Sequence, residues 1–309
     1  MDDQSLDFGR LDVAVRTMLC PTQGGRAENQ DNFLLIDCTG QACYLQDKQP
    51  QRQQLTGWSS GYARLAVLDG MGGHSQGREA AELAVQGLLQ IPPTSNLGTL
   101  SDQLERLHAR LRQQMHQNGN EPGCTLTLLE ILPTGAALLF HVGDSRLYAV
   151  NADHAQYLTV DHIPVTRFAM MRLVNRDEWF QQAHIKPGYQ ISQAFILGNS
   201  LNNREISGNL DPGLFELHDG NLPSFLQGLG DRRNLPLQTD QTYLLASDGL
   251  WHLQQPMHFV ERWPTLLGNT QQALSTQLDV LFQELVSATQ AEPNTRGDNC
   301  TAIAFRVRP

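Results

Sequence analysis

Asp69 in LAVLDGMGGH, Asp248 in YLLASDGLW and Asp298 in RGDNCTAIAF each stand directly after or beside an apolar, strand-like run. Hard divalent cations need carboxylates presented in this way. They take oxygen ligands, and an adjacent glycine lets a backbone carbonyl come close enough to serve as one. A single Asp-Gly pair is an ordinary turn. Several in one chain, together with Arg26-Ala-Glu-Asn29-Gln30-Asp31 and Val-Gly-Asp144-Ser145-Arg146, point to a two-metal hydrolase acting on phosphate.

If Asp69, Asp248 and Asp298 converge, any two of their carboxylates ~4 Å apart repel by roughly 4 kcal/mol at an effective dielectric near 20. Such a cluster needs a cation or a proton to persist. Two metals roughly 3.5–4 Å apart polarise a water and hold both the attacking and the leaving oxygen of a phosphoryl transfer. Direct attack by a metal-bound hydroxide then needs no serine or cysteine nucleophile. In keeping with this, the chain has no G-x-S-x-G, no C-x5-R and no GKS or GKT phosphate loop. Arg26 offers a planar fork that clamps phosphate in a way lysine cannot.

The positioning elements follow from periodicity. Leu11 to Val15 and Phe33 to Ile36 read as strands around a polar, Gly-rich bend, and residues 46–61 read as an exposed Gln-rich loop. Arg64 to Leu68 is a buried strand. Ser75 is placed to cap a helix in which Ala80, Leu83, Ala84, Gly87 and Leu88 share a face. Leu100, Leu104, Leu107, Leu111 and Met115 mark a second helix and are read as core. Residues 123–160 read as a meander that turns at Pro133–Gly135, at Gly143-Asp144 and at Asn151–Asp153. An amphipathic helix is expected around Arg167 to Phe180, inside a flap-like segment near 163–200. Tyr243 to Ser247 is a strand, Leu274, Leu278, Leu281 and Leu285 mark a late helix, and Cys300 to Val307 closes the chain as a strand. Strand clusters separated by helix pairs predict a layered α/β architecture: two mainly antiparallel sheets packed together with helices outside. Because the candidate ligands run from Asp31 to Asp298, their convergence makes residues 10–309 one domain.

The 309 residues are 40% hydrophobic and 17% charged, the make-up of a soluble globular protein. No apolar stretch approaches the ~20 residues of a membrane helix, and the first ten residues are acidic where a secretory signal would be basic. Five cysteines without a CxxC pair read as reduced thiols in a cytoplasmic protein. The net charge of −10 disfavours nucleic acid and anionic lipid as partners. It would also repel a phosphorylated substrate unless the site supplies positive charge, which divalent ions would do locally.

Taken in order, R-x-x-N-Q-D (26–31), D-G-M-G-G-H (69–74), G-C-T (123–125), V-G-D-S-R-x-Y (142–148), L-T-x-D-H (158–162), A-S-D-G-L-W (246–251) and G-D-N-x-T (297–301) resemble the metal-dependent Ser/Thr protein phosphatases of type 2C (the PPM family) in their bacterial form. The resemblance implies an α-β-β-α sandwich. It implies hydrolysis of phosphoserine and phosphothreonine with two Mn2+ or Mg2+ ions per site, a phosphoprotein substrate and an opposing Ser/Thr kinase. By position, it implies that Asp69 bridges both metals, that the Gly70 carbonyl completes the second, and that Asp248 and Asp298 hold the first. Asp31 matches the acid that fixes a metal-bound water, Arg26 the phosphate-binding arginine, and Asp144 the acid of a third, weaker ion. Met71 stands where eukaryotic members place a histidine, as is usual in bacterial forms. His252 stands where many members have an acid, which argues against strong occupancy by the third ion. His74 is read as approaching a phosphate or bonding the helix start, and His162 as tying the DHIP turn. A second reading keeps the fold but makes the chain a catalytically silent module that binds a phosphoprotein or regulates a kinase. A third changes the substrate to a small phosphate ester.

Overall fold

The computed structural model describes residues 6–20, 26–72, 76–116, 121–186, 190–202, 210–292 and 297–308. The hydrophobic alternation along the strands sorts their side chains onto two faces. In Ala63–Leu68, Ala63, Leu65 and Val67 point one way, and Ala66 and Leu68 the other. In Cys300–Val307, Ile303, Phe305 and Val307 join the first set, while Cys300, Ala302 and Ala304 face away. With both faces apolar, a strand must be covered on both sides. The result is two antiparallel sheets packed face to face, with helices on each outer surface.

One sheet has five strands in the order Leu11–Met18, Cys300–Val307, Thr242–Ala246, Arg146–Val150 and Ala155–Tyr157. The other has seven, in the order Arg232–Leu235, Ala137–Val142, Leu126–Ile131, Ala63–Leu68, Asn32–Ile36, Gln41–Gln46 and Gln49–Gln54. Helices Gln76–Leu88 and Leu97–Met115 cover the seven-stranded sheet. The expected stripe of Leu100, Leu104, Leu107 and Leu111 is buried there, with Met115 packed at its margin. Asn96 caps the second of these helices, its side chain accepting from the Thr99 N–H at 2.8 Å. Helices Pro256–Val260, Trp263–Leu267 and Leu274–Ala291 cover the five-stranded sheet. A further cluster around Val160, Ile163, Trp179, Leu217 and Leu226 packs the segment between the sheets' later strands. The layered α-β-β-α arrangement is the expected one, and the first and last strands pair along their whole length, Leu11 with Val307 to Met18 with Cys300.

Three local expectations are corrected. Residues 46–61 are mostly exposed, with Leu55 and Trp58 packed against the core, but they include the strand Gln49–Gln54, hairpinned onto Gln41–Gln46 through Asp47 (φ 50°) and Lys48 (φ 65°). A two-residue turn with both centres at positive φ matches the twist of the strands it joins. An edge strand with no face to bury leaves no hydrophobic period to read. The Gly143-Asp144 bend does not continue a meander. It carries the chain from the seven-stranded sheet (Ala137–Val142) to the five-stranded one (Arg146–Val150). The helix expected over Arg167–Phe180 is two short helices, Pro164–Met170 and Arg176–Phe180. Asn175 caps the second with a reciprocal capping box to Glu178, which breaks the run between them. The Ser75 cap and His74 lie outside the described residues.

Candidate active site

The strand register puts five acids on one rim of the sandwich. Asp69 follows strand Ala63–Leu68, and Asp31 precedes Asn32–Ile36, where Asn32 pairs with Leu68. Asp144 lies in the crossover after Val142. Asp248 follows Thr242–Ala246, and Asp298 precedes Cys300–Val307, where Ala246 pairs with Ala302.

Polar clamps hold each acid in place. The Asp69 N–H donates to Thr125 Oγ1 at 2.8 Å, Thr125 N–H returns a bond to the Asp69 carbonyl at 2.8 Å, and Thr125 Oγ1 meets Ser145 Oγ at 2.6 Å. The loop bearing Asp69 is thereby locked to the loop bearing Asp144. Ser247 Oγ donates to Asp31 Oδ2 at 2.7 Å while accepting the Thr301 N–H at 2.9 Å. Asn29 donates to Thr17 Oγ1 at 2.8 Å, and Asn299 donates to the Glu28 carbonyl at 2.9 Å, tying the 26–31 loop to both ends of the chain.

Two glycines are required by contact. A Cβ on Gly70 would lie 2.3 Å from the Gly77 carbonyl oxygen, and one on Gly249 only 1.9 Å from that of Asn299. In this fold, the residue after each of these two aspartates can have no side chain.

The electrostatics follow from burial and crowding. Burial, then Asp31, Asp248, Asp144 and Asp298, hold the Asp69 carboxyl well above the usual carboxylate range. Burial pushes Asp31 up to about 7, with Asp248 and Asp298 adding to it and the Ser247 hydroxyl opposing. Burial and then Asp248 and Asp161 raise Asp144, against Arg146. Asp248 goes the other way. Burial pushes it up, but His252, Asp69 and Arg26 together outweigh that and leave it below its ordinary value. Burial lowers His252, yet Asp248 and Asp298 outweigh it and hold the imidazole above its ordinary value. His252 Nδ1 lies 3.6 Å from Asp248 Oδ2, an ion-pair separation and too long for a hydrogen bond.

These residues fit divalent cations. The donors are carboxylate oxygens, and Asp31 Oδ1 and Asp248 Oδ1 are buried without a hydrogen-bond partner among the described residues. Such orphaned oxygens are costly unless something positive meets them. Ligand atoms of Asp248, His252 and Asp298 lie within 4.8 Å of one another.

Arg26 sits beside the cluster but grips Asp298, through Nε at 2.9 Å and Nη2 at 2.8 Å, with 54% of its side chain exposed. Sequence reasoning placed this arginine on phosphate and did not anticipate its fork on a candidate ligand. The same reasoning missed Thr125, Ser145, Ser247, Asn29 and Asn299, although each lies inside one of the recurring strings. His162 was read as a local tie. In the structure it reaches further: Nδ1 accepts the Gly143 N–H at 3.0 Å, and Nε2 meets Asp231 Oδ2 at 3.0 Å.

Behind the acids, Arg146 forks Asp161 (2.9 and 2.7 Å), donates to the Ala183 carbonyl at 2.6 Å and lies 4.5 Å from the centre of the Trp251 ring. A cavity of about 280 Å³ opens here, lined by Asp144, Asp248, His252, Ile163, Ile185 and Lys186 among others.

The protein phosphatase 2C family profile matches residues 44–283. The chain belongs to that family. The matched stretch includes Asp69, Asp144 and Asp248. Arg26, Asp31 and Asp298 lie outside it, and the fold brings them beside those three.

Protein phosphatase PhpP of Streptococcus pneumoniae is 32% identical over 111 residues, 33% of this chain and 45% of PhpP. The alignment thus spans less than half the length of that relative. The S. agalactiae serine/threonine phosphatase structure superposes with a TM-score of 0.66 at 18% identity, covering 96% of this chain and all of that one. The catalytic domain of the serine threonine protein phosphatase PstP, in complex with 2 manganese ions, superposes with a TM-score of 0.58 at 18% identity over 97% and 99% of the two chains. At these identities the superpositions speak for the fold. Among the described residues, no helix is long and apolar enough to cross a membrane.

Proposed function

We propose that this chain is a divalent-ion-dependent protein phosphatase that hydrolyses phosphoserine and phosphothreonine and so opposes a Ser/Thr kinase in the cytoplasm, with residues 10–309 as one catalytic domain. The observation that carries the reading is the gathering of Asp31, Asp69, Asp144, Asp248 and Asp298 on one rim with Arg26 at its edge. Asp69, the Gly70 carbonyl, Asp248 and Asp298 would hold two ions, Mn2+ or Mg2+, with Asp144 toward a third, weaker one. The PstP structure named for two manganese ions supports this count.

When bound, divalent ions supply Lewis acidity and lower the pKa of water. The chain's own residues do the rest. Asp31 is pinned through Oδ2 by Ser247 and keeps Oδ1 uncommitted, available to orient the attacking water and receive its proton. Arg26 is half exposed and rests on a carboxylate, a geometry its fork can exchange for two phosphoryl oxygens. The buried Arg146–Asp161 pair fixes the wall behind Asp144.

The test is hydrolysis of p-nitrophenyl phosphate and of a phosphothreonine peptide with Mn2+. Asp248→Asn should cut turnover by about a thousandfold, the several kcal/mol that such an ion supplies, while leaving the fold intact. Unchanged turnover would refute the assignment. Tight phosphopeptide binding by the wild type without turnover would establish a silent binding module instead, and a preference for small esters over peptides would move the substrate class.

A further inference from the structure

We propose that His252 makes the Asp248–Asp298 position a mixed nitrogen–oxygen site that selects a first-row transition ion over Mg2+. The inference rests on the metal-binding reading of the acid cluster above.

Three observations carry it. The short turn Asp248–Leu250, closed by the Trp251 N–H on the Asp248 carbonyl at 2.9 Å, brings residues 248 and 252 to the same side. One ligand atom each from Asp248, His252 and Asp298 then lies within 4.8 Å of the others. Two bonds of about 2.1 Å to a common ion nearly span that distance, so a small side-chain adjustment closes the set. Finally, His252 faces the same cavity as Asp248 and Asp144, on a turn held from behind by Arg146 stacked on Trp251.

The chemistry sets the preference. Mg2+ seeks oxygen ligands and keeps its waters, whereas imidazole suits later transition ions. A neutral imidazole also gives the site one negative charge fewer than a carboxylate at the same place, which weakens attraction for a hard ion. The Arg26 fork on Asp298 must yield an oxygen for the ion to enter.

The experiment titrates Co2+ and Mg2+ separately into wild type, His252→Gln and His252→Asp by calorimetry, with the visible spectrum of the Co2+ form recorded in parallel. For His252→Gln, Co2+ affinity should fall by at least the roughly 10–100-fold that loss of a group merely supporting a metal ligand costs, while Mg2+ affinity stays nearly constant. The cobalt absorption should shift on loss of a nitrogen ligand. His252→Asp should gain Mg2+ affinity relative to Co2+, and it reads the same ratio if His252→Gln does not fold. An unchanged Co2+/Mg2+ ratio and an unchanged spectrum in the variants would overturn the inference while leaving the metal reading in place. Failure of wild type to bind either ion would overturn both.

Discussion

Asp31→Asn, studied in chelator across pH, tests the electrostatics of the acid cluster. The Asp31 carboxyl is buried and pushed from 3.8 up to about 7, chiefly by burial. Between those values the folded chain holds a proton that the unfolded chain has released, so stability falls as pH rises through the window. Integrating from about pH 5 to about pH 8, this one group removes about 3 kcal/mol. A 309-residue chain unfolds with an entropy near 0.65 kcal/mol/K at about 2.1 cal/mol/K per residue, so the loss is roughly 5 °C in Tm. Other groups titrate nearby. The buried histidines His141, His184 and His108 are lowered by burial and add stability as pH rises through the ordinary imidazole range, the opposite sign. The informative quantity is therefore the difference between wild type and Asp31→Asn, which cancels them. The assay is thermal unfolding in chelator at steps between those pH values. The variant should gain on wild type by about 3 kcal/mol toward alkaline pH. A pH-independent difference, or one that shrinks as pH rises, would refute the account of Asp31 as a desolvated acid crowded by Asp248 and Asp298.

Arg26→Lys removes a fork from a position that is more than half exposed, so the fold should hold. KM for p-nitrophenyl phosphate should rise and kcat fall, together costing about tenfold to a hundredfold in kcat/KM, as for a lost bidentate clamp; unaltered steady-state kinetics would remove Arg26 from phosphate binding. Asp161→Ala strands the Arg146 guanidinium, buried with 2% of its side chain exposed, and should cost about 3–5 kcal/mol in urea unfolding. A cost below about 1 kcal/mol would show the pair to be no more than a surface-type bridge.

The convergence of the acids was legible in sequence because strand ends beside glycine restrict place, and the proposed ion binding would restrict residue type. The two glycines show how tightly. Gly70 abuts Gly77, and Gly249 abuts Asn299, so the Asp-Gly pairs express packing as well as turning. The central strands were readable for a related reason: each is buried on both faces and leaves a mostly apolar run. Gln49–Gln54 is exposed along its whole length, and its pairing rests on backbone bonds, to which residue type is nearly blind, with polar side-chain contacts such as Tyr44 to Gln53 at 3.0 Å added. The Gly143-Asp144 crossover looks locally like a hairpin, because the choice between continuing one sheet and entering the other is made by distant strands. Long reach also hid His162, whose partner Asp231 is 69 residues away, and Arg26, whose partner Asp298 is 272 away. A side chain's type announces that it will bond, while the identity of the partner is a property of the assembled fold.

The central claim is that one rim of carboxylates grips a pair of cations, and direct titration of Mn2+ into chelator-stripped protein tests it best. The account predicts saturable binding of about two ions per chain. Thermal stabilisation should approach about 2.7 kcal/mol at a hundredfold excess over Kd, and both signals should be lost in Asp69→Asn. Absence of saturable binding by wild type, or undiminished binding by Asp69→Asn, would contradict it.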